Sequence, residues 1–228
     1  MKSFIDKIKH KLGIGRKLWF TSDLHFNHTN VISYCNRPFA NREEMNEHII
    51  KIWNSTVKPQ DTVFILGDFS LNPKIATQMA LRLNGTKCLV SGNHDACFIG
   101  HKKSAKMVQK YQDNGFDVVF DHMTTMKLKD GTHVRLSHLP YIHNEYDDRY
   151  RDFKPHDNGE ILLHGHLHGR YIKNGRQIDV SWDANNGKIL SEDDVIAIIK
   201  DPKEFIPSHI TEFYKNRGDE KYKAKDSM

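Results

Sequence analysis

Five short groups of residues carry side chains able to hold metal ions or move protons. They are Asp23-Leu24-His25, Gly67-Asp68, Gly92-Asn93-His94-Asp95, Ser137-His138 and Gly165-His166-Leu167-His168. Asp23 with His25, and His166 with His168, are spaced two apart, which on extended chain puts both side chains on one face. Asp23, Asp68, the Asn93 amide oxygen, and the imidazoles of His25, His138, His166 and His168 make seven donors. Seven exceeds one tetrahedral ion and suits two ions that share a bridging carboxylate. Oxygen and nitrogen donors without thiolate favour manganese, with iron(II) or zinc as alternatives, over copper(I) or a structural zinc site.

Such a site needs its donors brought together from distant parts of the chain. Each group follows an apolar strand-like run, and ligands of α/β sheets gather at the carboxyl ends of strands. The predicted strands are 17–22, 62–66, 87–91, 117–120, 123–129, 133–137 and 161–164. Helical patterns lie between them. Residues 41–57 place Met45, Ile49, Ile52 and Trp53 on one face, and residues 73–83 follow Asn72 as a cap. Ser191 to Asp194 form a capping box that opens a helix running to about Lys200. Asp130-Gly131 and Asn174-Gly175 read as hairpin turns, which predicts an antiparallel C-terminal half. Glycines before Asp68, Asn93 and His166 permit close backbone approach.

In this order, D-x-H, G-D, G-N-H-D, H and G-H-x-H, the motifs resemble the calcineurin-like metallophosphoesterase superfamily from about Trp19 to the Asp183 region. The run WFTSDLHFNHTN ending at Asn30, followed by Arg37-Pro38-Phe39, resembles small bacterial and phage predicted phosphoesterases. The resemblance implies an α/β fold, a two-sheet α/β/β/α sandwich with the metal site at one edge. It implies one metal on Asp23, His25, Asp68 and His168, and a second on Asp68, Asn93, His138 and His166. His94 then matches the non-ligand histidine that protonates the leaving group. The sequence departs from the protein Ser/Thr phosphatases, which resemble G-D-x-V-D-R-G and G-N-H-E. Here Phe69-Ser70-Leu71-Asn72 follows Asp68, and Asp95 ends the other motif, so neither the second acid nor the arginine clamp is present. The acid that orients His94 is open, and Asp95 has the alternative of serving the turn.

Substrate contacts come from elsewhere. His28 and Arg37 lie on the connection after Asp23-Leu24-His25, within reach of a phosphate; capping of a helix at Asn30 is the competing use of that stretch. Residues 141–153 mix Tyr141, His143, Tyr146, Tyr150 and Phe153 with Arg149 and Arg151. Aromatic faces stack bases and guanidinium forks onto phosphate, so Tyr141 and Arg149 are candidates in a nucleotide lid. An exposed loop whose arginines pair with Asp147, Asp148 and Asp152 is the other reading. His101 and His122 carry no motif and are assigned to structure or surface.

The 228 residues, 28% charged and 10% aromatic, suit one globular domain over 17–212. Residues 1–16 form a basic amphipathic extension and 213–228 a charged tail. Six basic side chains against one acid in residues 1–17 account for the whole net charge of +5. The neutral remainder offers no extended nucleic-acid surface. No transmembrane segment is present, and with no secretory signal the expected location is cytoplasmic. Cys35, Cys88 and Cys97 suggest no disulfide framework. The seven donors and the resemblance together imply a dinuclear-metal phosphoesterase, foremost a phosphodiesterase acting on a small nucleotide or other short phosphoester. A phosphomonoesterase and then a nuclease are the enzyme alternatives. A protein-binding scaffold is the alternative from another class.

Overall fold

The computed structural model describes residues 16–141 and 150–203. The predicted N-terminal extension, apart from Arg16, and the C-terminal tail, with Arg149 and most of the candidate lid, lie outside them. Two five-stranded sheets form the molecule. The first contains β1 (Leu18–Thr21), β2 (Thr62–Ile65), β3 (Thr86–Val90) and β4 (Val118–Phe120), all parallel, with β10 (Leu190–Ser191) antiparallel to β1. The second has the order β5 (Met123–Lys127), β6 (His133–Ser137), β7 (Ile161–His164), β9 (Gln177–Asp179) and β8 (Lys173–Asn174).

Alternation along the strands sorts side chains into two cores. Val63, Ile65 and Leu89 pack with Met45, Ile49, Trp53, Ala76 and Tyr111 beneath the helices. Their neighbours Phe64, Leu66, Cys88 and Val90 meet Val134, Leu136, Leu163 and Ile178 of the second sheet. The two-sheet α/β sandwich expected from the sequence is thus present. No helix among the described residues is long and apolar enough to cross a membrane. The three cysteines are free.

The helices begin where the capping residues stand. Asn41 accepts from the Glu44 amide at 2.8 Å and opens α2 (Arg42–Thr56), with Glu43 and Glu44 complementing the dipole of its first turn. Asn72 caps α3 (Pro73–Ala80), which ends three residues before the pattern predicted. The capping box at Ser191 opens α5 (Glu192–Lys200). A six-residue helix, α1 (Thr29–Tyr34), occupies the stretch where capping at Asn30 is the alternative use, but it starts after His28 with no side-chain cap, while α4 (Ser104–Gln112) lies between β3 and β4.

The antiparallel expectation for the C-terminal half needs correction. Asp130-Gly131 does join the antiparallel pair β5 and β6, and Asn174-Gly175 joins β8 and β9. However, β6 pairs with β7, and β7 with β9, in parallel. A tight turn fixes only the two strands it connects, and the longer connections reverse the chain before the next strand enters.

Candidate metal centre

The five groups converge at one edge, where the carboxyl ends of β1, β2 and β3 face those of β6 and β7. Main-chain bonds hold the first two loops together, with the Asp23 amide donating to Gly67 O (3.0 Å) and the His25 amide to Asp68 O (3.0 Å). Gly165 N donates to His138 O (3.0 Å) in the second sheet. Asp23, His25, Asp68, His166 and His168 all adopt left-handed backbone, with φ of 57, 53, 51, 71 and 48°, so the Asp23/His25 and His166/His168 pairs are not on the extended chain their spacing suggested but on tight loops past the strand ends. Each such residue costs on the order of 1 kcal/mol or more, and persists where surrounding bonds over-determine it.

The predicted glycine requirement is met at the two carboxylates. A Cβ on Gly92 would sit 2.2 Å from Asp68 Oδ1, and one on Gly165 2.3 Å from Asp23 Oδ2. The backbone has to pass this close because it also supplies donors. His94 N gives a 2.9 Å bond to Asp68 Oδ1, and His166 N a 3.0 Å bond to Asp23 Oδ2.

Those bonds leave the other oxygens facing imidazoles. Asp68 Oδ2 lies 3.4 Å from His138 Nε2, 3.7 Å from His25 Nε2 and 4.0 Å from His94 Nε2. Asp23 Oδ1 lies 3.7 Å from His168 Nε2 and 3.9 Å from His25 Nε2. Asn93 Oδ1 is 3.1 Å from His138 Nε2, and the His166 ring centroid is 5.2 Å from that of His138. All seven predicted ligands are therefore gathered, with Asp68 in the centre. Asp23, Asp68, Asn93, His25 and His138 are buried.

Electrostatics follow from that burial. Burial opposes ionisation of Asp68, but His138, His25 and His94 outweigh it and hold the carboxyl well below the usual carboxylate range. Burial likewise opposes charge on His138, yet Asp68 pushes it up to about 9. Burial drives His25 well down, and burial with His138 drives His166 to about 3, leaving neutral imidazoles with free lone pairs. Among the described residues the ion pairs of Asp23 and Asp68 are with histidines alone.

Divalent cations fit this donor set. Both ring nitrogens of His25 are buried without any hydrogen-bond partner. An unpaired buried polar atom is costly, and a cation between Asp23 and Asp68 would satisfy Nε2, the nitrogen 3.9 and 3.7 Å from their oxygens. His138 Nδ1 is turned to Leu66 O at 2.8 Å, which leaves Nε2 for the centre. Asp23, His25 and His168, and separately Asp23, Asp68 and His138, bring one donor atom each within 4.8 Å of one another.

Asp95 takes the turn-forming role rather than that of an acid at His94. Its buried carboxylate accepts from the amides of Asp68 (2.8 Å), Phe69 (3.0 Å), Ser70 (3.4 Å) and Gly92 (2.8 Å). It thereby clamps the loop after β2 to the loop after β3. Asp95→Ala leaves four buried donors unmatched and is expected to lower stability by on the order of 4 kcal/mol. Urea denaturation of the metal-free variant checks this, and a loss below about 1 kcal/mol would contradict the clamp.

Of the residues predicted to touch substrate, His28 lies beside the centre, its ring centroid 5.4 Å from that of His25. The other two described ones do not face it. Arg37 is buried and bonded to Asp183 and to main-chain carbonyls of the Asp23 loop. Tyr141 is buried too, its hydroxyl donating to Glu160 O at 2.9 Å. In both, a side chain read as reaching outward fills the interior.

Sequence reading also missed neighbours. Asp183 Oδ2 lies 2.7 Å from His168 Nδ1, and Cys35 Sγ 3.3 Å from the same atom. His101 Nε2 is 3.1 Å from Asn93 O, and Tyr150 accepts from Asn93 Nδ2 at 3.2 Å. Asp183, Cys35 and His101 sit in no motif that signals these contacts, while Tyr150 belongs to the aromatic stretch read as a candidate lid.

A sandwich whose strand ends collect buried carboxylates and imidazoles in this order has the build of a metal-dependent phosphoester hydrolase. Residues 17–195 match the calcineurin-like phosphoesterase superfamily domain, and the chain belongs to that superfamily. The Gene 66 protein of Mycobacterium phage D29 is 34% identical over 203 residues, covering 82% of this chain and 98% of its own length. An uncharacterized protein of Methanocaldococcus jannaschii is 32% identical over 198 residues, covering 82% and 94% respectively. A crystal structure of a protein of unknown function from Aquifex aeolicus superposes with a TM-score of 0.60 at 24% identity. It covers 81% of this chain and 100% of its own, and shares the fold.

Proposed function

We propose that the chain is a phosphodiesterase that hydrolyses a small nucleotide or another short phosphoester. Asp23, His25, Asp68 and His168 would hold one divalent ion, and Asp68, Asn93, His138 and His166 a second, with manganese favoured over iron(II) or zinc. Ions held there supply Lewis-acid charge for the phosphate oxygens and lower the pKa of water to near neutrality.

The chain's own residues do the rest. His94 is 40% exposed, with Nε2 4.0 Å from Asp68 Oδ2, so it borders the centre while remaining open to solvent. It donates a proton to the departing ester oxygen. The observation that carries the reading is a shallow, open depression of about 520 Å³ whose lining includes Asn93 and His94. Leu71, Pro73, Ala96 and Met107 line it, with Lys103 also on its wall. Leu71 is 43% exposed there, an apolar surface suited to an organic leaving group. Arg37 is spent in the interior, so it gives no guanidinium fork for the terminal dianion of a monoester; a diester monoanion has less need of one. The edge-on contact of Tyr150 with His166 adds an aromatic ring suited to stacking a base.

The test is hydrolysis of bis-p-nitrophenyl phosphate and p-nitrophenyl phosphate by metal-stripped protein reloaded with Mn²⁺, Fe²⁺, Zn²⁺ or Mg²⁺. Faster metal-dependent cleavage of the diester is expected. Preference for the monoester would replace the reading with a phosphomonoesterase. Silence on both, with two ions bound, would remove the enzyme reading for such esters.

A further inference from the structure

We infer that Arg37 and Asp183 are a buried positioning pair, which aims His168 at the metal centre and ties its loop to the Asp23–His25 loop. The inference rests on reading His168 as a metal ligand.

Asp183 serves two partners at once. Its Oδ2 lies 2.7 Å from His168 Nδ1, while Oδ1 and Oδ2 accept a fork from Arg37 Nε (2.8 Å) and Nη2 (2.9 Å). A carboxylate facing Nδ1 keeps a proton on that nitrogen, so Nε2, 3.7 Å from Asp23 Oδ1, is the atom that would take a cation. The remaining Arg37 donors reach backward. Nη2 gives a 2.6 Å bond to Asp23 O, and Nη1 a 2.9 Å bond to Leu24 O.

One guanidinium thus holds the main chain at one ligand loop and, through Asp183, the side chain of another. Both ends it joins are strained, Asp23 at φ 57° and His168 at φ 48°. The two partners are 146 positions apart in sequence, and their side chains are only 2% and 7% exposed. Lysine cannot replace the arginine here, because a single ammonium cannot span Asp183 and two carbonyls in a fixed plane. Cys35 Sγ, 3.3 Å from His168 Nδ1, is the other neighbour of that nitrogen, farther away than the Asp183 carboxylate.

Asp183→Asn and Arg37→Lys, each in the full chain, separate positioning from mere support. Titration calorimetry of metal-stripped protein with Mn²⁺ should show one of two ions weakened by roughly 10- to 100-fold in both variants, and the other unchanged. In the Zn²⁺-loaded protein, the His168 Nδ1 proton should give a slowly exchanging NMR signal in wild type that shifts or vanishes in Asp183→Asn. Using two variants keeps the inference open to refutation should one fail to fold. Wild-type affinity for both ions together with an unmoved proton signal would overturn it. His168→Ala is the control for the underlying reading. Retention of both ions there would refute His168 as a ligand and the positioning pair with it, whereas loss of one ion with unaffected Asp183→Asn refutes the pair alone.

Discussion

Purified Asp68→Ala is expected to lose bound metal and phosphoesterase activity together, beyond the roughly 100-fold that removing a ligand's supporting residue costs. Among the described residues Asp68 alone has one oxygen within 4.0 Å of three imidazoles, those of His138, His25 and His94. Its removal takes away the negative charge that keeps buried His138 protonated in the metal-free protein, and that would bridge two cations in the loaded one. Asp68 Oδ1 also accepts from the His94 amide, so alanine disturbs the loop after β3 as well. Asp68→Asn keeps an acceptor for that bond and separates the effects. It should fold as wild type by circular dichroism while failing to retain two ions after gel filtration. Metal content at wild-type level in either folded variant would refute the bridging role.

The second expectation has the opposite pattern. His94→Ala should keep both ions, since its backbone amide still donates to Asp68 Oδ1, and should lose about 10²- to 10⁴-fold in turnover. The loss depends on the leaving group. An alkoxide must be protonated as it departs, so alkyl esters should show the full decrease. p-Nitrophenolate leaves as a stable anion, and its esters should show little. An equal decrease across both kinds of ester would argue that His94 positions substrate instead of supplying a proton.

Much of this centre was legible because its donors come in local pairs. Asp-x-His and His-x-His spacing, a glycine at each tight approach, and an apolar run ahead of each group are all short-range signals. Asn72 and the Ser191 to Asp194 box likewise announced two helices, and the apolar face of Met45, Ile49, Ile52 and Trp53 a third. What stayed hidden depended on packing between distant segments. Arg37 next to a ligand loop reads as a phosphate contact until Asp183, 146 positions on, is seen to claim it. Tyr141 reads as a stacking ring until Glu160 O is found against its hydroxyl. The parallel entry of β7 could not be inferred from hairpin turns, because no turn joins it to β6 or β9.

Because both sheets contribute donors, the centre has a place in the order of assembly. Asp23 and His166, 143 positions apart, meet only after β1 and β7 stand at the same edge. Contacts of such long range form after the chain has surrendered the corresponding loop entropy, late on the folding path. The parallel core of β1 to β3 gathers only Asp23, His25, Asp68 and Asn93, which is less than either complete ligand set. On the proposed assignment, a nascent chain halted before β7 would lack His166 and His168, and with them the full set of donors for either ion.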